Sequence, residues 1–314
     1  MKILVAPLNW GLGHASRCVP LIQKYVSDGH EVVVGGDGDA LTLLRTTFPT
    51  LRWVEMAQLD LRYGKGKRQV WAMLKALPKL LWFSFRDHQM LKILCLIESF
   101  DLVVSDNRFG LFPTKHRQNA SAKYVYMTHQ LHILLPQGWH WAEGIASWLH
   151  GQICKRYDEV WVPDYEDVKT CLSGKLGHGV PFPVRYIGPL SRMVRQDKTD
   201  TRFDVVAVLS GPEPQRTILE QDIVKKYDET KEKVLIVRGR IREAATPMVH
   251  HNLTLIAHLP DDELIPILQG AKKIIARSGY STLMDLHQLG VLDKAELIPT
   301  PGQPEQEYLA TLIR

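Results

Sequence analysis

After the apolar run KILVAPL the chain reads NWGLGHASR, residues 9–17. A histidine among glycines, where a strand gives way to a helix, suits proton transfer. Glycine lets the backbone approach a ligand closely. The helix N-terminus that follows favours an anion or an oxygen gaining charge, and an imidazole exchanges protons near neutral pH. His14 is therefore a candidate base, or else only a residue that caps the helix or packs in the turn. A histidine acting as a base is often oriented by a carboxylate. DLVVSDNRFG offers one: Asp106 directly follows an apolar strand and belongs on the same carboxyl edge as His14. Asp101 precedes that strand and belongs at the opposite edge. The plainer alternative makes Asp106 a turn or N-cap aspartate. YVYMTHQLH places Thr128 and His129 on the same edge, while His129 and His132 lack a nearby third ligand for a metal. The glycines do not complete a dinucleotide-binding turn, because GxGxxG needs glycine at position 16, where Ser16 stands.

A second group lies late in the chain, in HLPDDELIPILQGAKKIIARSGYSTLMDLHQLG and LIPTPGQPEQEYLA. IIARSG reads as a strand entering a small-residue turn, and STLMDLHQLG as the helix that follows. Ser278, Gly279, Ser281 and Thr282 would supply hydroxyls and backbone N–H groups for a diphosphate. Asp285, one turn into that helix, is placed to reach two neighbouring ribose hydroxyls, or only to complement the helix dipole. PTPGQPEQ reads as a loop whose Gln303, Glu305 and Gln306 would hydrogen-bond a sugar.

These residues need elements to hold them. Strands (KILVAPL, HEVVVGG, DLVVSD, KYVYMTH, EVWVP, VRYIGP) alternate with helices, which predicts a parallel sheet covered on both faces. SRMVRQDKTDTR, residues 191–202, reads as a linker. The rhythm then restarts at FDVVAVLSG. With 314 residues two doubly wound domains are expected, with ligands at the carboxyl ends of their strands. From Gly64 to Glu98, and again in QGWHWAEGIASWLHGQICKRY, Lys and Arg mix with Trp, Leu and Phe (Trp71, Leu74, Leu77, Leu80, Leu81, Trp82, Phe83, Phe85). Such a mixture suits an interfacial helix or a core helix with a basic outer face.

The formal charge of +5 admits an anionic partner without choosing one. The basic residues carry no nucleic-acid recognition motif, so nucleic acid is not expected. The cysteines (Cys18, Cys95, Cys154, Cys171) form no CxxC pair, which fits a reducing cytoplasm. No apolar window is long enough to span a bilayer, and the N-terminus reads as a buried strand rather than a signal peptide.

The late stretches resemble the C-terminal domain of GT-B glycosyltransferases, above all the MurG-like family (glycosyltransferase family 28 type), which transfers N-acetylglucosamine from UDP to a lipid-linked acceptor. Arg277, Ser278, Gly279, Thr282, Asp285, Pro299, Glu305, Gln306 and Ala310 follow the family pattern in order. Aspartate stands at 285 where the family usually has glutamate. VLSGPEPQR resembles the first phosphate loop of that domain, with Pro212 and Pro214 where the family is often glycine-rich. GLGHASR is similar to the acceptor-side loop of the superfamily. In related inverting members a histidine of that loop is the base, paired with an aspartate after a later strand, and His14 and Asp106 stand at the matching positions. MTHQ resembles an acceptor loop.

The resemblance implies a GT-B fold: two Rossmann-like, doubly wound α/β domains facing a cleft, an acceptor-side domain over 1–190 and a nucleotide-sugar domain over 203–314. Only TLIR follows Ala310, so the usual terminal helices are expected to be missing. The implied donor residues are Gly13, Ser210, Gly211, Leu259, Arg277, Ser278, Gly279, Ser281, Thr282, Asp285, Gln303, Glu305 and Gln306; Arg17, Thr128 and His129 fall on the acceptor side. The implied activity is inverting transfer of a sugar, N-acetylglucosamine first, from a UDP-sugar to a hydroxyl acceptor, a lipid-linked or cell-envelope glycan. UDP-sugar is the substrate, and no metal or cofactor is expected, since no DxD pair has metal-ligand character. An anionic membrane surface or lipid-linked acceptor is the implied partner, at the inner face of the cytoplasmic membrane. A GT-B-fold UDP-sugar epimerase is the runner-up, and a truncated chain that binds nucleotide or membrane without turnover is the third reading.

Overall fold

The structure is a computed structural model and describes residues 1–59, 69–115, 118–211, 213–240 and 243–313, without the side chains of 69–77. The chain divides into two compact units, Met1–Leu190 and Ser191–Arg314.

The first unit is built on a parallel sheet in the order β3-β2-β1-β4-β5-β6-β7. Its strands are β1 (Lys2–Pro7), β2 (Glu31–Gly36), β3 (Arg52–Glu55), β4 (Leu102–Asp106), β5 (Lys123–Met127), β6 (Glu159–Val162) and β7 (Arg185–Tyr186). Successive side chains of β1 go to opposite faces. Ile3 and Val5 join a core with Ala15, Cys18, Val19 and Ile22, which form one stripe of α1 (Leu12–Ser27) at helical spacing. Leu4 and Ala6 join another core with Leu91 and Leu94 of α3 (Gln69–Ile97). Burial on both faces is what makes β1 a continuous apolar run. Helix α2 (Gly38–Thr47) follows β2, and α4 (Glu143–Cys154) precedes β6.

The second unit has the order β10-β11-β9-β8-β12-β13: β8 (Val205–Val208), β9 (Val234–Val237), β10 (Met248–His250), β11 (Leu253–Ile256), β12 (Lys273–Ala276) and β13 (Ala295–Leu297). Its ladders are parallel apart from β10 with β11. Helices α5 (Gln215–Tyr227), α6 (Asp261–Gly270), α7 (Tyr280–Leu289) and α8 (Pro304–Leu312) complete it. Gly290 closes α7 in the left-handed conformation, φ 68°, as glycine does at a helix C-terminus.

Two sequence expectations change, and one left open is resolved in part. The stretch 191–202, expected as a free linker, packs on the second unit. Met193 is buried in that unit's core, Gln196 and Gln269 exchange hydrogen bonds of 2.9 and 2.7 Å, and Asp200 N donates to Pro266 O at 2.8 Å. PTPGQPEQ is a loop only as far as Gln303, because proline at the first helical position starts α8 there. The apolar-basic stretch 64–98 is in part a core helix: Phe83, Leu91 and Leu94 are buried, whereas Leu81, Trp82 and Phe85 are exposed. Its earlier part, with the side chains of Trp71, Leu74 and Leu77, lies outside the described residues.

Candidate active site

In the first unit the register sets the site. Pro7 pairs with Asp106 across β1 and β4, and Leu8 N donates to Asp106 O at 2.8 Å. The carboxylate therefore ends its strand beside the point where β1 gives way to α1. Asn107, at φ 57°, turns the chain away; asparagine tolerates that left-handed conformation, and its Oδ1 accepts from Tyr126 OH at 2.9 Å. Gly11 is the N-cap of α1 at φ 81° and provides no side-chain cap. His14 thus lies in the first turn of the helix rather than at the tip of the preceding turn, and Gly13 lies beside it within the helix.

His14 Nδ1 is 3.0 Å from Asp106 Oδ1. Asp106 is fully buried. Arg17 Nε donates to Asp106 Oδ2 at 2.8 Å, Arg17 Nη2 also bonds Asp106 Oδ1, and Arg17 Nη1 lies 3.0 Å from His129 Nδ1. Burial alone would raise the Asp106 carboxyl, but the Arg17 and His14 charges outweigh it and hold it well below the usual carboxylate range. A guanidinium only donates, so His129 Nδ1 accepts and the His129 proton sits on Nε2. Arg17 Nη2 also approaches His14 Nδ1 at 2.9 Å. In the tautomer that donates Nδ1–H to Asp106, that guanidinium nitrogen keeps Asp106 Oδ1 as its acceptor, and Nε2 is the basic nitrogen of His14.

The acceptor-side expectations are altered by burial. Arg17 is 1% exposed and bonded to Asp106, so its guanidinium organises the cluster instead of meeting a ligand. Thr128, also buried, accepts from Gln130 N at 3.1 Å and shapes the turn. A neighbouring network was missed by the sequence reading. Arg108, 0% exposed, is bidentate to Asp87 at 2.8 and 2.9 Å, donates to Asp37 at 2.8 Å and reaches Pro7 O at 3.3 Å. It pins the ends of β1 and β4, α3 and the start of α2. The only sequence signal was an arginine two residues beyond a strand-ending aspartate.

In the second unit the carboxyl ends of β8, β12 and β13 carry the expected phosphate residues. Ser210 is exposed and Gly211 has φ 93°. Gly279 caps α7 without a side-chain bond, and Ser281 and Thr282 occupy its half-buried first turn. Arg277 is buried and bonds Pro299 O at 2.9 Å and Gln215 O at 2.7 Å; burial lowers its pKa. The hydroxyl of Ser278, fully buried, donates to Gln306 O at 2.7 Å, so it fastens α8 to the strand end rather than facing a ligand. Gln306 Oε1 accepts from Thr300 N at 2.9 Å, and Gln303 caps α8, where Glu305 stands in the first turn. Leu259 packs half-buried against the unit's core. Asp285 accepts from Ser191 Oγ at 2.6 Å, a partner hidden in the supposed linker, and burial pushes its carboxyl up to about 6. Thr300, likewise missed, is buried with its hydroxyl unpartnered, 4.0 Å from where a side chain at Gly211 would begin.

No family model matches the chain. A protein of Methanosarcina mazei described as an uncharacterized glycosyltransferase is 24% identical over 332 residues, covering 100% of this chain and 84% of the relative. Among solved structures, spinosyn rhamnosyltransferase SpnG complexed with thymidine diphosphate aligns with a TM-score of 0.62 at 13% identity, covering 99% of this chain and 84% of that one. Phytolacca americana UGT2 complexed with UDP-2-fluoro-glucose and pterostilbene aligns at 0.58 and 14%, over 99% and 82%. Two Rossmann-like parallel-sheet domains of this pattern are the GT-B fold. With its sequence relatives, this defines the chain as a glycosyltransferase.

Proposed function

We propose that the chain transfers a sugar from a UDP-sugar to a hydroxyl acceptor with inversion at the anomeric carbon, and that His14 is the base. The contact between His14 Nδ1 and Asp106 carries this reading. With Nδ1–H directed at the carboxylate, Nε2 takes the acceptor's proton as its oxygen bonds to the anomeric carbon. The bond from that carbon to the diphosphate breaks, and UDP leaves with the electron pair. A single base with no protein nucleophile gives inversion. Asp106 remains ionised and stabilises the imidazolium. The turns at Ser210–Gly211 and Gly279, the N-terminus of α7 and the buried Arg277 charge favour the departing diphosphate. Asp285 serves the ribose in this proposal.

The donor reading draws on the UDP-2-fluoro-glucose of the UGT2 structure and on the thymidine diphosphate of the SpnG structure. N-acetylglucosamine and a lipid-linked acceptor rest on the MurG-like motif. Exposed Leu81, Trp82, Phe85, Trp141 and Trp148, with Arg86 over the Trp82 ring at 4.9 Å, support an anionic membrane face as the place where such an acceptor is met. Among the described residues no helix is long and apolar enough to cross a membrane.

The experiment is a panel of UDP-, TDP- and GDP-sugars with a lipid extract as acceptor, following nucleotide release and the anomeric configuration of the product. Acceptor-dependent UDP release with inversion is expected. A new free sugar nucleotide formed without acceptor would indicate the epimerase instead, and retention of configuration would remove the single-base mechanism.

A further inference from the structure

At the end of the second sheet remote from the phosphate turns, Asp228, His250 and His251 converge. Each offers one ligand atom, and these atoms all lie within 4.8 Å of one another. Asp228 is the C-cap of α5. The two histidines end β10 and begin the turn into β11, where His250 pairs with Leu253. Leu253 in turn pairs with Val234, the first residue of β9, so the cluster sits at the amino-terminal edge of the sheet.

Two features set it apart from a chance meeting of surface groups. Asp228 Oδ1 is buried and has no hydrogen-bond partner; His250 Nε2 stands 3.6 Å away, too far to donate. A carboxylate with an unsatisfied oxygen is also unfavourably placed at a helix C-terminus, where the dipole is negative. A cation between the groups would remove both costs. The scaffold is held in place as well, since Asn252, the next residue, donates from Nδ2 to Tyr227 O at 2.9 Å and to Glu232 O at 2.7 Å, fastening the turn to the end of α5.

We propose that Asp228, His250 and His251 form a binding site for a borderline divalent metal of the zinc class, which clips the β10–β11 turn to α5. Two imidazoles and a carboxylate are a zinc-type donor set, with water for the remaining position. Ligand atoms around tetrahedral zinc lie about 3.3–3.5 Å apart, given bonds of about 2.0–2.2 Å. The Asp228–His250 separation already approaches that, and the exposed His250 and His251 rings, stacked at 4.2 Å, close the rest by side-chain rotation. The metal is structural and has no part in sugar transfer.

The test is zinc titration of the untagged full chain against a chromogenic chelator, with unfolding followed in parallel. One equivalent should bind, and zinc should raise the apparent unfolding temperature. His250→Ala, His251→Ala and Asp228→Asn should each weaken binding by about tenfold or more and abolish the thermal shift, while UDP binding is unchanged. All three changes are at or near the surface, and unfolding in the absence of zinc checks that the variants are folded. The inference is overturned if the wild type binds no zinc, or if the variants bind it as tightly as the wild type does.

Discussion

Asp106 and Asp285 are both aspartates near the carboxyl edge of a sheet, the first fully buried and the second half-buried, and their surroundings act on them in opposite directions. Asp106 is gripped by Arg17 and approached by His14, so its charge is stabilised. Asp285 meets a serine hydroxyl, and burial pushes its carboxyl up to about 6. The same division runs through the rest of each edge. In the first unit the ionisable groups contact one another: His14, Arg17, Asp106 and His129. In the second unit Arg277 is held by neutral carbonyls, and turns and a helix start make up the rest of the edge. In the proposed reaction the first edge moves the proton and the second holds the diphosphate.

Breaking the first edge should have the largest effect. Asp106→Asn leaves the Arg17 charge buried without its counter-ion and should cost about 3–5 kcal/mol, read by urea unfolding at pH 7. The pH dependence of the wild type should carry the same signature. The folded pKa of Asp106 is depressed, so its contribution is present above about pH 4 and is lost as pH falls.

Asp285 should behave the other way. Its folded pKa is raised, so its effect on stability is absent below about pH 4, grows unfavourable as pH rises to about 6, and is level above. Asp285→Asn keeps an acceptor for Ser191 and should stabilise the protein at pH 7.5 by about 1–3 kcal/mol, while weakening UDP binding. Stabilisation without loss of UDP affinity would remove Asp285 from the ribose. A smaller change is expected from Gly211→Ala, where φ 93° penalises a side chain by about 1–2 kcal/mol. A drop in UDP affinity larger than the drop in thermal stability would place the diphosphate at that turn.

The two edges also differed in how far they could be read from sequence. Strand identity and the edge on which His14, Asp106 and His129 fall follow from apolar runs, because a residue just beyond a buried parallel strand has one edge available to it. What Arg17 does was not legible, since a helix position gives no hint that its side chain turns inward to a carboxylate 89 residues away. The pairing of Arg108 with Asp87 and Asp37 was missed for the same reason: buried ion pairs join residues distant in sequence. Ser191 was hidden by composition, because a polar, charged stretch reads as a linker even when a few of its groups are anchored. The Ser278 hydroxyl turns to Gln306 O, a contact that reading PTPGQPEQ as loop gives no hint of. The short edge strands β3 and β10 lack the apolar runs that marked the others.

The most direct measurement is sugar transfer by His14→Ala beside its affinity for UDP. A positioned base contributes about 10²–10⁴-fold, so transfer should fall by that factor with UDP binding unchanged. A His14→Ala enzyme that transfers at the wild-type rate would contradict the account.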